Sequence, residues 1–500
     1  MTGRSLFRVL RWVGMAAVIP VLWACQARSL ERPELKPEMI YGKTFQQTVN
    51  RNVDMLFLVD DSSSMRLSQD NLNRNFPRFM TTLQAAPQGL PNIHVAVISS
   101  DMGAGDGSVS GCNTTGGKQG IFQYTPRGTC TASGLQDGAT YISDIAGTRN
   151  YTGMLQDVFT CIAALGESGC GFEHQFASML RALGADGQGP PAENQGFLRP
   201  DAYLAIILIT NEDDCSATPG VPLFDIGSNR DIASQLGPPQ NFRCNEFGHL
   251  CDGVHPSRLA PNNDMTQTIP YASCESNDRE GYLLGAIDTA NRIKALKADP
   301  SQIIVAAIQG PATPYVVGFR APQTTDMSCG AASCPWPIIR HSCGADDDTV
   351  VGFADPGVRI SQFVGEFGDN GAVLPICVDS FAASLERIAM LINAQLQPPC
   401  IGSRVAHKVN SDEFDCTVVS HTSNGTGGTI DATVPSCAST NPPNTPPCWS
   451  LTPGGTCTGT MPSTVTVSTD PNLPPSTAQN ATVNCALCDP LFPDATKMCP

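Results

Sequence analysis

Positive charge is scarce in this chain. Its 500 residues carry 30 Lys and Arg against 46 Asp and Glu, a formal net charge of −16. Phosphate backbones demand a basic face, so nucleic acid is excluded as a partner. Charge of either sign is sparse, at 15 % of residues, while Gly and Pro number 46 and 40. So little charge beside so many turn formers predicts long ordered loops around a substantial core. Catalytic signatures are missing too: there is no G-x-S-x-G elbow, no H-E-x-x-H pair and no P-loop. GAGDG (103–107) is a glycine cluster without the strand-to-helix setting of a phosphate cradle. No residue is assigned a catalytic role, and the chain reads as a binding protein, not an enzyme. The apolar stretch nearest the N-terminus, Trp12 to Ala24, has 13 residues, too few to span a bilayer.

Cysteine, in contrast, is abundant, with 21 in all. That density belongs to an oxidising compartment, where disulfides are the default. The N-terminus agrees. Arg4, Arg8 and Arg11 lead into the short apolar stretch and no acid appears before Glu31, the pattern of an export signal. The segment ends in Leu22-Trp23-Ala24-Cys25, which resembles the lipobox of bacterial lipoproteins. The resemblance implies cleavage after residue 24 and a diacylglyceryl group on the Cys25 thiol; a plain secretory signal is the alternative. Setting Cys25 aside leaves an even number of cysteines, all able to pair, in an order the sequence does not reveal. Gln26 is, by the same resemblance, compatible with outer-membrane sorting. It opens a charged, Pro-bearing tether that holds the folded part off the membrane.

From Val53 onward, apolar strand patterns alternate with amphipathic helix patterns. Strands are expected at 53–60, 93–101, 203–210, 303–310 and 372–378. Helices are expected at 68–86 (kinked or interrupted at Pro77), 153–166, 172–184, 279–298 and 380–396. Strands apolar along their whole length, followed by helices, indicate an α/β, doubly wound, mostly parallel sheet covered on both faces. Gly-rich insertions at 102–138, 211–275 and 310–355 follow three of the strands. They emerge at the carboxyl edge, where open α/β sheets bind ligands. They carry Cys112, Cys130, Cys215, Cys244, Cys251, Cys274, Cys329, Cys334 and Cys343, which predicts a disulfide-stapled collar around that edge. Beyond Leu396, Thr, Pro and period-two stretches such as 463–470 predict a small Cys-rich all-β module. The expected division is a signal peptide at 1–24, the lipidated Cys and tether at 25–49, the α/β domain at 50–397 and the β module at 398–500.

The stretch FLVDDSSSM (57–65) carries the chemistry. Asp60, Ser62 and Ser64 have D-x-S-x-S spacing where a buried strand ends, and a tight loop there can turn alternate oxygens toward one point. One carboxylate and two hydroxyls suit a hard cation such as Mg2+ that keeps some of its waters. Capping of the following helix is the alternative use of the same residues.

A strand ending in D-x-S-x-S, then a helix, then VAVIS and later AIILIT, resembles the von Willebrand factor A domain over roughly residues 50–397. The resemblance implies a Rossmann-like sheet and a metal-ion-dependent adhesion site, with Asp60, Ser62 and Ser64 as metal ligands. The family adds a Thr and an Asp from two further loops. Here ESGCGFEH (167–174) puts Gly171 at the Thr position, with Glu173 or else Ser168 to supply an oxygen. NEDDCS puts Asn211 at the Asp position, with Glu212, Asp213 and Asp214 beside it. The implied cofactor is Mg2+, or Mn2+ or Ca2+, and the implied partner is a protein or cell-surface ligand offering a carboxylate to the metal. The Asp346–Asp348 run is a candidate internal plug, or a solvated acidic loop.

Two other groupings carry less. Cys244, His249, Cys251 and His255 invite a zinc reading, but irregular spacing in an oxidising compartment favours disulfides and surface histidines. Cys485 and Cys488 share C-x-x-C spacing without a thioredoxin-like setting, and read as structural. The expectation is a lipid-anchored, extracytoplasmic adhesion protein. A scaffold with a degenerate site is the first alternative, and a metal-dependent hydrolase with Glu173 as base is the second.

Overall fold

The computed structural model describes residues 40–46, 50–86, 89–105, 107–109, 111–130, 134–224, 232–238, 240–322, 335–344, 352–396, 400–408, 411–423, 429–453, 463–468, 479–488 and 499. The signal peptide, Cys25, most of the tether, Cys329, Cys334 and Asp346–Asp348 lie outside the described residues.

The apolar runs assemble into one seven-stranded sheet: β1 (Asn52–Val59), β2 (Asn92–Ser99), β3 (Ile142–Ile145), β4 (Thr148–Arg149), β5 (Tyr203–Ile209), β6 (Ile303–Gln309) and β7 (Gly371–Pro375). Their order across the sheet is β7-β6-β5-β1-β2-β3-β4. The first five in that order are parallel, with Phe57 of β1 opposite Ile207 and Val97. The β3–β4 hairpin adds an antiparallel edge absent from the sequence expectations. Its signal is the two-residue turn Ala146-Gly147, where φ is +50° and +83°, the conformation that joins tightly twisted strands.

The helices are α1 (Arg66–Gln84), α2 (Leu155–Ala163), α3 (Gln175–Leu183), α4 (Phe242–Gly248), α5 (Ala286–Lys294), α6 (Val358–Gly365) and α7 (Ala382–Gln395). A parallel sheet must be covered on both faces, and the alternation along β1 shows how. Met55, Phe57 and Val59 join a core shared with α1, α2 and α7, while Leu56 and Leu58 join one shared with α3, α5 and α6. Phe57 anchors the first core, its ring meeting Phe76, Phe79 and Phe159 edge-on at 5.8, 5.8 and 4.8 Å.

The sequence expectations do not include α4 and α6, and two of the expected helices differ from the reading. α1 runs unbroken through Pro77, because the burial of residues on either side, from Leu72 to Leu83, outweighs one missing backbone bond. α5 begins at Ala286 and not near 279. The Asp278 carboxylate caps it there, accepting from the Ala286 and Ile287 N–H groups at 2.9 Å each.

Disulfides fasten the insertions. Cys112–Cys170 and Cys130–Cys161 bind the 102–138 segment to residues around α2, and Cys215–Cys244 and Cys251–Cys274 close loops within 211–275. Cys343–Cys377 ties the last insertion to the end of β7.

Among its described residues the C-terminal segment is all-β, with strands Cys416–Ser423, Thr429–Val434 and Gln479–Ala486 in one sheet and Cys400–Ile401, Cys448–Pro453 and Ser463–Ser468 in another. Val418, Trp449, Val465 and Val483 form its core. Here the expected tether is corrected: Ile40–Gln46 is a strand, antiparallel to Gln479–Ala486 over seven paired residues. Strand pairing across the whole stretch from residue 47 to 478 leaves no local trace. A chain starting at residue 50 is therefore expected to melt its β segment about 5 °C or more below a chain starting at 26. Calorimetry of the two chains checks this, and coincident transitions would show that the pairing contributes nothing. No helix among the described residues is long and apolar enough to cross a membrane.

Candidate functional site

The parallel strands end together, and the residues just after them, Asp60, Ser100 and Thr210, carry the oxygen atoms. Asp60 continues β1 by donating its N–H to the Ile209 carbonyl at 3.0 Å. Its side chain is fully buried and, among the described residues, accepts only from neutral donors. Oδ1 receives the Ser62 N–H at 2.9 Å and the Ser100 hydroxyl at 3.3 Å, and Oδ2 receives the Thr210 hydroxyl at 2.8 Å. Burial pushes this carboxyl above its usual range, against those hydrogen bonds. Ser62 Oγ lies 3.4 Å from Ser64 Oγ. Asn211 brackets Ser64 Oγ, with Nδ2 donating to it at 3.0 Å and Oδ1 accepting from it at 3.2 Å. Asp60, Ser62, Ser64 and Asn211 are thus brought together by the ends of β1 and β5.

Glu173 joins them. Its loop is stitched to the end of β5, because the Cys215 N–H donates to the Glu173 carbonyl at 2.7 Å and Gln175 Nε2 donates to Thr210 Oγ1 at 2.9 Å. The side chain is 2 % exposed, and its Oε1 has no hydrogen-bond partner. Burial, then the charges of Glu212 and Asp60, drive its carboxyl well above the ordinary value. Glu212 is pushed up to about 8 by burial and by Asp355, while Asn241, just before α4, donates to its Oε2 at 3.0 Å. Glu173 and Glu212 are hydrogen-bonded to each other, and with both carboxyls raised the pair holds a proton between them.

Other candidates are placed elsewhere. Asp213 is engaged away from the cluster: it accepts from His249 Nε2 at 2.9 Å and caps α6 through the Arg359 and Ile360 N–H groups at 2.8 and 3.1 Å. Burial opposes its ionisation, yet these bonds hold the carboxyl below its usual range. A carboxylate so fully committed is not a free ligand, so Asp213 does not serve as the metal ligand that its place beside Asn211 suggests. Asp214 likewise caps α3 through the Phe176 N–H at 2.8 Å and pairs with Arg359 at 3.0 Å. Ser168 is exposed and has no described bond into the cluster. A Cβ at Gly171 would meet nothing within 4 Å, so packing does not demand glycine where the family resemblance places Thr.

Cys244 and Cys251 are both in disulfides, which removes them from a zinc site. His249 is not on the surface: it is buried between Asp213 and the Tyr315 hydroxyl, which lies 2.9 Å from its Nδ1. Cys485 and Cys488 are bonded to Cys416 and Cys499. Among the described residues, no group of three His, Cys, Asp or Glu side chains is arranged to hold a metal; the cluster at Asp60 is built mainly from hydroxyl and amide oxygens.

Several site residues escaped the sequence reading. Ser100 and Thr210 sit directly after their strands, and oxygens closing a second and third strand were a usable signal. Asp61 is fully buried, accepts the Ser99 hydroxyl at 2.6 Å and pairs with Lys118, 57 residues away. No local pattern announces Lys118 or Asn241.

No protein-family model matches the chain, and no curated protein matches it significantly. Among solved structures, the pilus adhesin SpaC from Lactobacillus rhamnosus GG, in an open conformation, is 14% identical with a TM-score of 0.30, over 91% of this chain and 42% of its own. A von Willebrand factor type A protein from Catenulispora acidiphila is 8% identical with a TM-score of 0.28, over 90% and 65%. Proximal thread matrix protein 1 from the mussel byssus is 11% identical with a TM-score of 0.27, over 73% and 52%. The chain thus spans less than two thirds of the length of each. Likeness of this degree assigns no residue a role.

Proposed function

We propose that this is an extracytoplasmic binding protein whose von Willebrand A-type domain holds a hard divalent cation, Mg2+, Mn2+ or Ca2+, at the carboxyl edge of its sheet. Asp60, Ser62 and Ser64 would hold it, with Asn211 and Glu173 supplying the oxygens that the family takes from Asp and Thr. When bound, the cation supplies an open position for a carboxylate of a protein or surface ligand. Lipidation of Cys25 would keep the protein at the bacterial outer membrane, and the β module at 398–500 would serve as spacer or second surface.

The observation that carries this reading is Glu173. It is a buried carboxyl that shares a proton with Glu212 and leaves Oε1 without a partner, with Asp60 close by; a hard cation would replace that proton and take up the free oxygen. The donors fit a hard ion, being oxygen throughout. A scaffold without a cation is favoured by the Ser64–Asn211 pair, in which both side chains satisfy each other.

Calorimetric titration of Mg2+ and Mn2+ into residues 26–500 separates the two. Saturable one-to-one binding is expected, weakened about tenfold by Glu173→Gln, which keeps the shape and removes the charge. Absence of binding in the parent chain would leave the scaffold reading in place.

A further inference from the structure

The cation site already contains a cation of its own. Lys118 reaches into it from the 102–138 insertion. Its own N–H is tied to the Asp101 carbonyl at 2.8 Å, and its loop is bridged to residue 170 by Cys112. Its ammonium pairs with Asp61 Oδ2, where the carboxylate is fully buried and the lysine side chain is 24 % exposed. It also acts across space on Asp60, which has no direct ionic partner among the described residues. Asp61 is held close against the neighbouring loop. The Gly169 N–H donates to its carbonyl at 2.8 Å, and a Cβ on Gly169 would collide with the Asp61 carboxylate. The lysine and the two carboxylates therefore share one rigid corner.

We infer that Lys118 is a fixed counter-ion that sets how strongly the site holds a divalent cation and how readily it admits a carboxylate. This rests on the cation-binding reading above. Neutralising Asp61 leaves Asp60 as the loop's one uncompensated carboxylate. The divalent ion is then held by fewer negative charges, keeps more of its own positive field, and attracts an incoming carboxylate more strongly. Without Lys118 the site gains a full negative charge. It grips the metal harder and repels the partner's carboxylate, and at separations of a few ångström both effects reach about tenfold or more.

The test is a double-mutant cycle read by Mn2+ titration in low-salt buffer at neutral pH, below the value of about 8 to which burial lowers the Lys118 ammonium, with circular dichroism and melting curves as controls for folding. Lys118→Met is expected to tighten Mn2+ binding at least tenfold. Asp61→Asn, which keeps the acceptor for Ser99, is expected to weaken it by a similar factor, because Lys118 then faces Asp60 alone. The double variant should return near the parent value. Acetate displacing water from bound Mn2+, followed by proton relaxation, should weaken in Lys118→Met. A purely structural lysine would instead lower Mn2+ affinity in all three variants. Parent binding with no tightening in Lys118→Met overturns the inference and leaves the cation reading standing. No Mn2+ binding in any of the four proteins removes the cation reading, and the inference falls with it.

Discussion

Replacing Asp60 by Asn is expected to abolish measurable Mn2+ binding, a loss of about 100-fold or more, while leaving the fold intact. Of the three proposed ligands in the D-x-S-x-S loop Asp60 alone is a carboxylate, and an amide oxygen is a much poorer partner for a hard dication. The amide still accepts from the Ser62 N–H and the Ser100 hydroxyl. Thr210, losing Oδ2 as acceptor, already has the Glu212 carbonyl at 2.9 Å as another. Because burial disfavours the Asp60 carboxylate and its donors among the described residues are all neutral, the variant should be at least as stable as the parent in metal-free buffer. Adding Mn2+ should raise the parent's melting temperature by mass action and leave the variant unmoved. Equal Mn2+-induced shifts in both proteins would place the ion elsewhere.

Arg359→Met should be the most destabilising single change near the site, by about 3–5 kcal/mol. Arg359 is fully buried. Its guanidinium pairs with Asp214 at 3.0 Å, donates to Ser276 Oγ at 2.9 Å and to the Leu284 carbonyl, and lies 5.4 Å from the Phe176 ring centre. Removing it leaves Asp214 buried without a cation at the N-terminus of α3. Asp214 follows Asn211 by three residues, so the loosened loop should also weaken Mn2+ binding. Urea unfolding with intact disulfides measures the first effect and calorimetry the second. A loss below about 1 kcal/mol would mean that Asp214 takes up a proton or water at little cost.

The same residues show how far a linear reading reaches. NEDD (211–214) reads as four oxygen-bearing neighbours of a candidate cation, yet the fold sends them in different directions. Asn211 meets Ser64, Glu212 meets Asn241, and Asp213 and Asp214 each cap a helix whose start is far away in sequence. Adjacent residues at the end of a strand point to opposite sides, so proximity along the chain does not predict a shared ligand. His249 reads as a surface residue from its Cys- and Gly-rich setting. The Asp213–Tyr315 pair that buries it comes from two other segments.

What the sequence by itself determined is the part of this protein governed by local periodicity and by short spacing. The runs through β1, β2, β5 and β6 are apolar on both faces, which allows little besides a covered parallel sheet. Asp60, Ser62 and Ser64, two residues apart in one tight loop, must lie close together wherever that loop sits. Only the tertiary structure decided which other groups reach them. Thr210 arrives across 150 residues, Lys118 across 57, and the Ile40–Gln46 strand finds its partner at the opposite end of the chain. Such contacts are selected by burial and by the pairing of charge in a low-dielectric corner, and neither leaves a periodic trace in the sequence.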